Sequence, residues 1–282
     1  MKKNLYAALL LLCFVMLVLP QKNVFAAASA PSPWAEESIK LANDAGLIPT
    51  DLNDDYQANI TRREFCHVIM RFVHKSWEPV PEFPIDMKSP FSDVDDRLVN
   101  IAYELKITSG TGENKFNPDG FITRQEAAAM LYNAAKDYYG GKSYSPVTFA
   151  DSAQIASWAK DKVQAVAGSG VLQGTSQTEF NPLGTYTREQ CYVSVLRLHN
   201  LYVDSVKTAN AETEYNSLTN ANIRQLEEYI EKYPDSSFAK SAASRAEKLK
   251  NDLAPYNAVI LKGLTDKNVE TFIKDYPGHI KT

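Results

Sequence analysis

The chain has 282 residues, with 30 lysines and arginines against 34 acids and a formal charge of −4. An acidic balance argues against nucleic acid as a partner, because phosphate binding wants a basic surface. Three cysteines in a chain of this length exclude a disulfide framework.

The first element in chain order is a processing segment. Lys2 and Lys3 precede an apolar run from Leu5 to Leu19, then Pro20 and the small-residue stretch Ala26-Ala27-Ala28. This pattern predicts a secretory signal peptide over residues 1–28. The run is shorter than the roughly 20 residues of a membrane span, so the mature chain has no expected span. Cys13 follows Leu12, where a lipobox would place a small residue, so lipidation is not expected. Three lysines and no acid leave with the segment, which moves the charge from −4 to −7. Cys66 and Cys191 remain, both within apolar helical patterns, and are expected as buried free thiols rather than a disulfide.

The middle of the chain repeats itself. Residues 115–124 read KFNPDGFITR and residues 179–188 read EFNPLGTYTR, with six identities at a constant offset of 64. A third, more diverged copy lies upstream, where Thr61-Arg62-Arg63-Glu64 precedes an apolar helical run. Thr123-Arg124-Gln125-Glu126 and Thr187-Arg188-Glu189-Gln190 do the same in copies two and three. Each copy also has an upstream helical pattern ending in a loop. Copies two and three open with Phe91-Ser92-Asp93 and Phe149-Ala150-Asp151, where the aspartates are placed to cap that upstream helix. Copy one has Pro31-Ser32-Pro33-Trp34 instead. The expected copies span residues 32–77, 90–138 and 148–200, joined by proline- and glycine-bearing connections. A two-helix unit cannot bury its own apolar faces, so the three should share one core in an all-α fold.

The character changes near residue 203, and residues 205–282 are expected as a separate helical region. Leu226, Tyr229, Ile230 and Tyr233 share one face. Pro234-Asp235-Ser236 breaks the chain, and Phe238, Ala242, Ala246, Leu249 and Leu253 continue it. LEEYIEKYPD at 226–235 is echoed by VETFIKDYPG at 269–278, which predicts a short helix near 266–275 with Val269, Phe272 and Ile273 on an apolar face. This hairpin resembles tetratricopeptide-like units, although its 43-residue spacing exceeds the usual length of about 34. Such a tail could take a protein partner.

Thr-x-x-Glu before an apolar run is a capping box, so Thr61/Glu64, Thr123/Glu126 and Thr187/Gln190 are expected as structural caps. Arg62, Arg124 and Arg188 raise a different question. Each stands at the first helical position, where a cation is disfavoured by roughly 0.3–1 kcal/mol. An anionic ligand at the free N–H groups of the helix start would offset this. A salt bridge to a nearby acid such as Asp93 or Asp151 would offset it equally. On the ligand reading, removing an arginine leaves stability level or slightly higher.

Three tandem units carrying ITRRE, ITRQE and YTREQ, with Phe-x-Asp openings and the FNPDG loop, resemble S-layer homology domains. The resemblance covers roughly residues 32–200. It implies a three-pronged helical spindle, a pseudo-trimer of one chain. It also implies non-covalent anchoring at the cell surface on a secondary cell-wall polysaccharide, often pyruvylated. Arg62, Arg124 and Arg188 then become candidate glycan-anion ligands, and Gly46, Gly110, Gly170 and Gly174 would let the glycan approach. The copies are unequal: Lys106 stands where the others have Gly46 and Gly170, and Pro49-Thr50 stands where they have Ser109-Gly110 and Gln173-Gly174. Equal binding at all three grooves is therefore not expected, and a lysine in a groove could add a charge contact.

Other chemistries lack residues. His67, His74, His199 and His279 offer no third metal ligand, and no cofactor is implied. There is no G-x-S-x-G stretch and no convincing nucleophile–histidine pair, so an enzyme is not expected. Asp54-Asp55 and Asp95-Asp96 suit loops and caps better than glycoside chemistry. Asp51 to Gln57 lacks the spacing of a calcium loop. Trp34, Trp77 and Trp158 could stack on sugar rings, with at least one expected in the core. Two readings remain, a wall-binding module and an envelope scaffold whose tail binds a protein, with the repeats as platform.

Overall fold

A computed structural model describes residues 30–77, 82–84, 86–140 and 142–261, together with 267, 271 and 274. The expected signal segment and the apolar face of Val269, Phe272 and Ile273 lie outside the described residues. So does most of the predicted helix near 266–275. Among the described residues the fold is all-α. The helices are α1 (Glu36–Asp44), α2 (Arg62–Ser76), α3 (Arg97–Glu104), α4 (Arg124–Ala134), α5 (Lys136–Tyr139), α6 (Lys160–Gly168), α7 (Arg188–Ser217), α8 (Ile223–Lys232) and α9 (Ala239–Leu261). β-structure is confined to isolated bridges. None of these helices is long and apolar enough to cross a membrane.

The chain forms two compact units. The first runs to Ala134 and includes Ser143–Leu196; the second holds Ala135–Lys142 and the chain from Arg197 onward. The tail boundary expected at residue 205 therefore falls inside a continuous helix, α7.

In the first unit the three second helices start at Arg62, Arg124 and Arg188, as the Thr-Arg motif predicts. Thr61 and Glu64 form the full reciprocal box. Thr187 and Gln190 do likewise, with Thr187 N–H donating to Gln190 Oε1 at 3.2 Å and Gln190 N–H to Thr187 Oγ1 at 3.3 Å. Thr123 differs: its amide and its hydroxyl both donate to Glu126 Oε2, at 2.9 and 2.6 Å.

Packing is exchanged between copies. Helix α2 of copy one lies on α3 of copy two, and α4 of copy two lies on α6 of copy three. Copy three closes on copy one, where Tyr192 donates to Leu52 O at 2.6 Å and meets the Tyr56 ring edge-on at 6.3 Å. The shared core includes Ile60, Phe65, Ile69, Phe72, Ile122, Leu131 and Tyr186, all fully buried. Each helix start is also stitched to the next copy. Arg62 N–H and Arg63 N–H donate to Gly120 O and Pro118 O. Arg124 and Gln125 donate to Gly184 O and Pro182 O. Arg188 and Glu189 donate to Ala58 O and Tyr56 O. These six bonds, of 2.8–3.1 Å, close a pseudo-threefold ring.

That ring corrects two expectations. The first amides of the three helices are not free for an anion, since carbonyls of the neighbouring copy take them. Asp93 and Asp151 do not cap the upstream helices either. Asp93 accepts from Phe116 N–H and Asn117 N–H at 2.8 and 2.9 Å, and Asp151 from Phe180 N–H and Asn181 N–H at 3.0 and 2.6 Å. They hold the FNP turns in which Asn117 and Asn181 adopt φ near +57° (58° and 56°), a conformation asparagine tolerates. The cap of α3 is Asp96, three residues later, and α6 has no side-chain cap. A cap is a local contact that sequence can suggest; the partner 23 residues away is not.

The second unit is a helical hairpin with its own core. Leu226 and Tyr229 of α8 meet Ala242 and Ala246 of α9, flanked by Tyr215, Tyr233 and Phe238. Asn222 and Gln225 form a capping box at the start of α8, and Tyr229 donates to Ala211 O at 3.1 Å.

Candidate functional site

The three arginines end in different electrostatic settings. Arg62 is buried and fully engaged: Nε donates to Phe116 O at 2.8 Å, Nη2 to Ser109 O at 3.1 Å and Nη1 to Glu126 Oε1 at 2.8 Å. Its guanidinium lies 4.9 Å from the Phe116 ring centre. Glu126 is also the capping glutamate of copy two, so one carboxylate serves its own helix start and its neighbour's arginine. Arg188 repeats this with Glu64 Oε1 at 2.7 Å and adds Asp54 Oδ1 at 3.0 Å. Asp54 occupies the place of Phe116 and Phe180, so copy one supplies an acid where the others supply a ring.

Arg124 is the exception. It donates to Phe180 O at 2.7 Å and Gln173 O at 2.5 Å, and lies over the Phe180 and Tyr186 rings. The residue that should meet it is Gln190, which is neutral. Among the described residues no carboxylate pairs with Arg124. Burial lowers its pKa, outweighing the through-space pull of Tyr186 and Asp151. The arginines thus face two acids, one acid and none.

Neither acid named from sequence, Asp93 or Asp151, forms these pairs. The true partners, Glu64 and Glu126, were visible as caps. Their second role required knowing that the copies interlock.

The glycines divide. Gly46 and Gly170 have φ of +69° and +77°, and Lys106 takes the same left-handed conformation at +61°. For a side-chain-bearing residue that costs roughly 1–2 kcal/mol. The space at Gly170 is open, whereas a β-carbon at Gly46 would stand 3.2 Å from Lys75 Nζ. Gly110 and Gly174 are needed by their own turns: a β-carbon would stand 2.6 Å from Lys115 O at Gly110 and 2.5 Å from Glu179 O at Gly174.

Arg62, Lys106, Gly110, Glu126, Trp158 and Lys162 line one cleft of about 640 Å³, together with Tyr103. It brings together three copies, since Arg62 belongs to copy one, Lys106 to copy two and Trp158 and Lys162 to copy three. Trp158 is 53% exposed. Trp34, twelve residues before Gly46 as Trp158 is before Gly170, is likewise exposed. Trp77 is the packed one, donating from Nε1 to Ala134 O at 3.2 Å. Lys162 is not legible from sequence, because most of the residues that line the cleft with it come from the other two copies.

His67 pairs with Asp96 at 2.8 Å. No cluster of metal-ligating residues occurs among the described residues. Cys66 and Cys191 are buried free thiols, and burial pushes both pKa values up.

The interlocked triplicate has a Thr-Arg start in each copy and FNP turns in copies two and three. Residues 98–128 and 148–190 match the S-layer homology domain family. The surface-layer 125 kDa protein of Lysinibacillus sphaericus is 27% identical over 192 residues, covering 64% of this chain and 16% of that protein. The amylopullulanase of Thermoanaerobacterium thermosulfurigenes is 28% identical over 161 residues, 56% of this chain and 8% of that protein. The exoglucanase XynX of Acetivibrio thermocellus is 26% identical over 166 residues, 56% of this chain and 14% of that protein. This chain spans only a small part of these relatives. The two matched stretches of this chain are thus similar to S-layer homology domains, and one of the relatives that share them is a surface-layer protein.

Proposed function

We propose that the first unit anchors the protein by binding a secondary cell-wall polysaccharide that carries acidic groups, with pyruvate ketals as the expected acid. The observation that supports this best is the Arg62 cleft. Its volume of about 640 Å³ falls within the roughly 300–1,000 Å³ of ligand pockets. Its exposed tryptophan offers a sugar ring a stacking face. Its cations suit a carboxylate. Among the arginines, Arg124 is the one left to meet a ligand acid, while Arg62 and Arg188 brace the ring. Gly170, the counterpart of Lys106 in copy three, has open space around it. Gly46, Gly110 and Gly174 serve the loops that shape the grooves.

The second unit is proposed as a small tetratricopeptide-like appendage carried by the anchor. The test is retention on purified wall polymer, with and without its ketal groups, for the chain and for a version ending at Ser217. Retention of both on native polymer, and loss on stripped polymer, is the expected result. Absence of retention on any wall polymer would overturn the reading.

A further inference from the structure

We infer that the Arg62 cleft takes the anionic group of its ligand on Lys106 and Lys162, and not on the motif arginine. This rests on the polysaccharide-binding reading above and names the residues that would give it charge specificity. The first observation is the backbone at Lys106. The other two copies fill this left-handed position with Gly46 and Gly170. Copy two holds a lysine there in a conformation L-residues avoid. The strained residue lines the cleft, and its ammonium lies 5.2 Å from the Tyr103 ring centre, against the same wall.

The second observation is the charge balance. Arg62 is spent on Glu126 and two carbonyls. Lys106 and Lys162 make no ion pair among the described residues, so the cleft holds three cations against one carboxylate. A lone carboxylate or phosphate ester entering the cleft would meet two ammonium groups and no competing acid beyond the one already satisfied. Trp158 then offers the sugar that bears this group a face on which to stack. The fit is to an acidic saccharide, and a neutral glycan would leave both ammonium groups unanswered.

The experiment uses the full mature chain and purified wall polymer in three forms: native, stripped of ketal carboxylates, and stripped of phosphate. The variants are Lys106→Gly, Lys106→Asn and Lys162→Ala. Glycine is the residue the other copies use, and asparagine tolerates the left-handed backbone without carrying charge. The variants at Lys106 are expected to melt at or above the parent temperature. Each of the three is expected to lose at least about tenfold in affinity for native polymer, the effect of one charge-assisted hydrogen bond. The gap should close on whichever stripped polymer has lost the recognised acid, which identifies carboxylate or phosphate. If the parent binds and the variants bind equally well, the inference is overturned while anchoring stands. A gap that persists on both stripped polymers also overturns it, because the lysines would not be reading charge. If the parent binds no polymer, it is the anchoring reading that falls.

Discussion

Removing Arg62 tests whether the motif arginine is a ligand group or part of the framework. Arg62→Ala deletes a guanidinium that is 5% exposed and satisfies Phe116 O, Ser109 O and Glu126 together. Breaking a buried ion pair from one side costs about 3–5 kcal/mol. Here the upper end is unwarranted. The Glu126 side chain is 26% exposed, and it keeps the Thr123 amide and hydroxyl. A loss of about 3 kcal/mol is a reasonable centre, set by the half-stranded carboxylate and two carbonyls short of a donor. For a unit of this size that lowers the melting temperature by about 6–12 °C. Relief of the helix dipole returns less than about 1 kcal/mol, so it cannot reverse the sign. Thermal melting by circular dichroism reads this directly, with Arg124→Ala as the companion because it strands no carboxylate. Arg62→Ala melting at or above the parent would refute the framework role and restore the dipole argument.

Three further outcomes follow from the same geometry. Gln190→Glu keeps the cap and gives Arg124 the acid its counterparts have; stability should hold or rise by up to about 1 kcal/mol while affinity for acidic wall polymer falls, and unchanged affinity would show that Arg124 meets no ligand. Burial pushes the Glu64 pKa up, but the Thr61 amide and Arg188 outweigh it and hold the carboxyl below its usual range. Its contribution is therefore full above the unfolded value of about 4.3 and is lost as pH falls through the lowered folded value. Urea melts from pH 7 to 3 should show that loss, and Glu64→Gln should flatten it. Gly110→Ala places a β-carbon 2.6 Å from Lys115 O and 2.9 Å from Phe91 Cε1 and should cost about 1–3 kcal/mol, whereas Gly170→Ala meets only its positive φ; equal melting of the two would contradict the turn assignment.

Much of this was readable before any coordinates. The helix starts at Arg62, Arg124 and Arg188 follow from a capping pattern four residues long, and the shared core follows from three units too small to fold alone. What sequence withheld is every contact that runs between copies. Glu64 looks like a cap because its cap partner is three residues away; its bond to Arg188 spans 124 residues. Asp93 fits a helix start by position, yet the amides of Phe116 and Asn117 claim it first. Asp54 looks like one acid in a loop. Its meaning appears only once the loop is superposed on KFNPDG and the aspartate falls where phenylalanine stood.

Interlocking also explains how the copies can diverge without losing the fold. The stitching that holds the ring is made by backbone: six amides at the helix starts and six carbonyls of the facing turns. Those bonds survive any side chain that leaves the turn intact. Side chains above the ring are then free to vary, and they do: an aspartate replaces a phenylalanine, a glutamine replaces a glutamate, a lysine replaces a glycine. Each change alters the charge of one groove and leaves the scaffold alone. Arg188 gains a second acid, Arg124 loses its acid, and the Arg62 cleft gains an ammonium that lies against the Tyr103 ring with no acid paired to it among the described residues. A pseudo-symmetric ring built this way is able to present three chemically different faces. Lys106 is the informative case, because its backbone conformation is unfavourable and the two sister positions show that glycine fits. A residue kept at a conformational cost, with its side chain in the cleft and no acid paired with its charge among the described residues, is the sort of position where binding and stability should oppose one another on substitution.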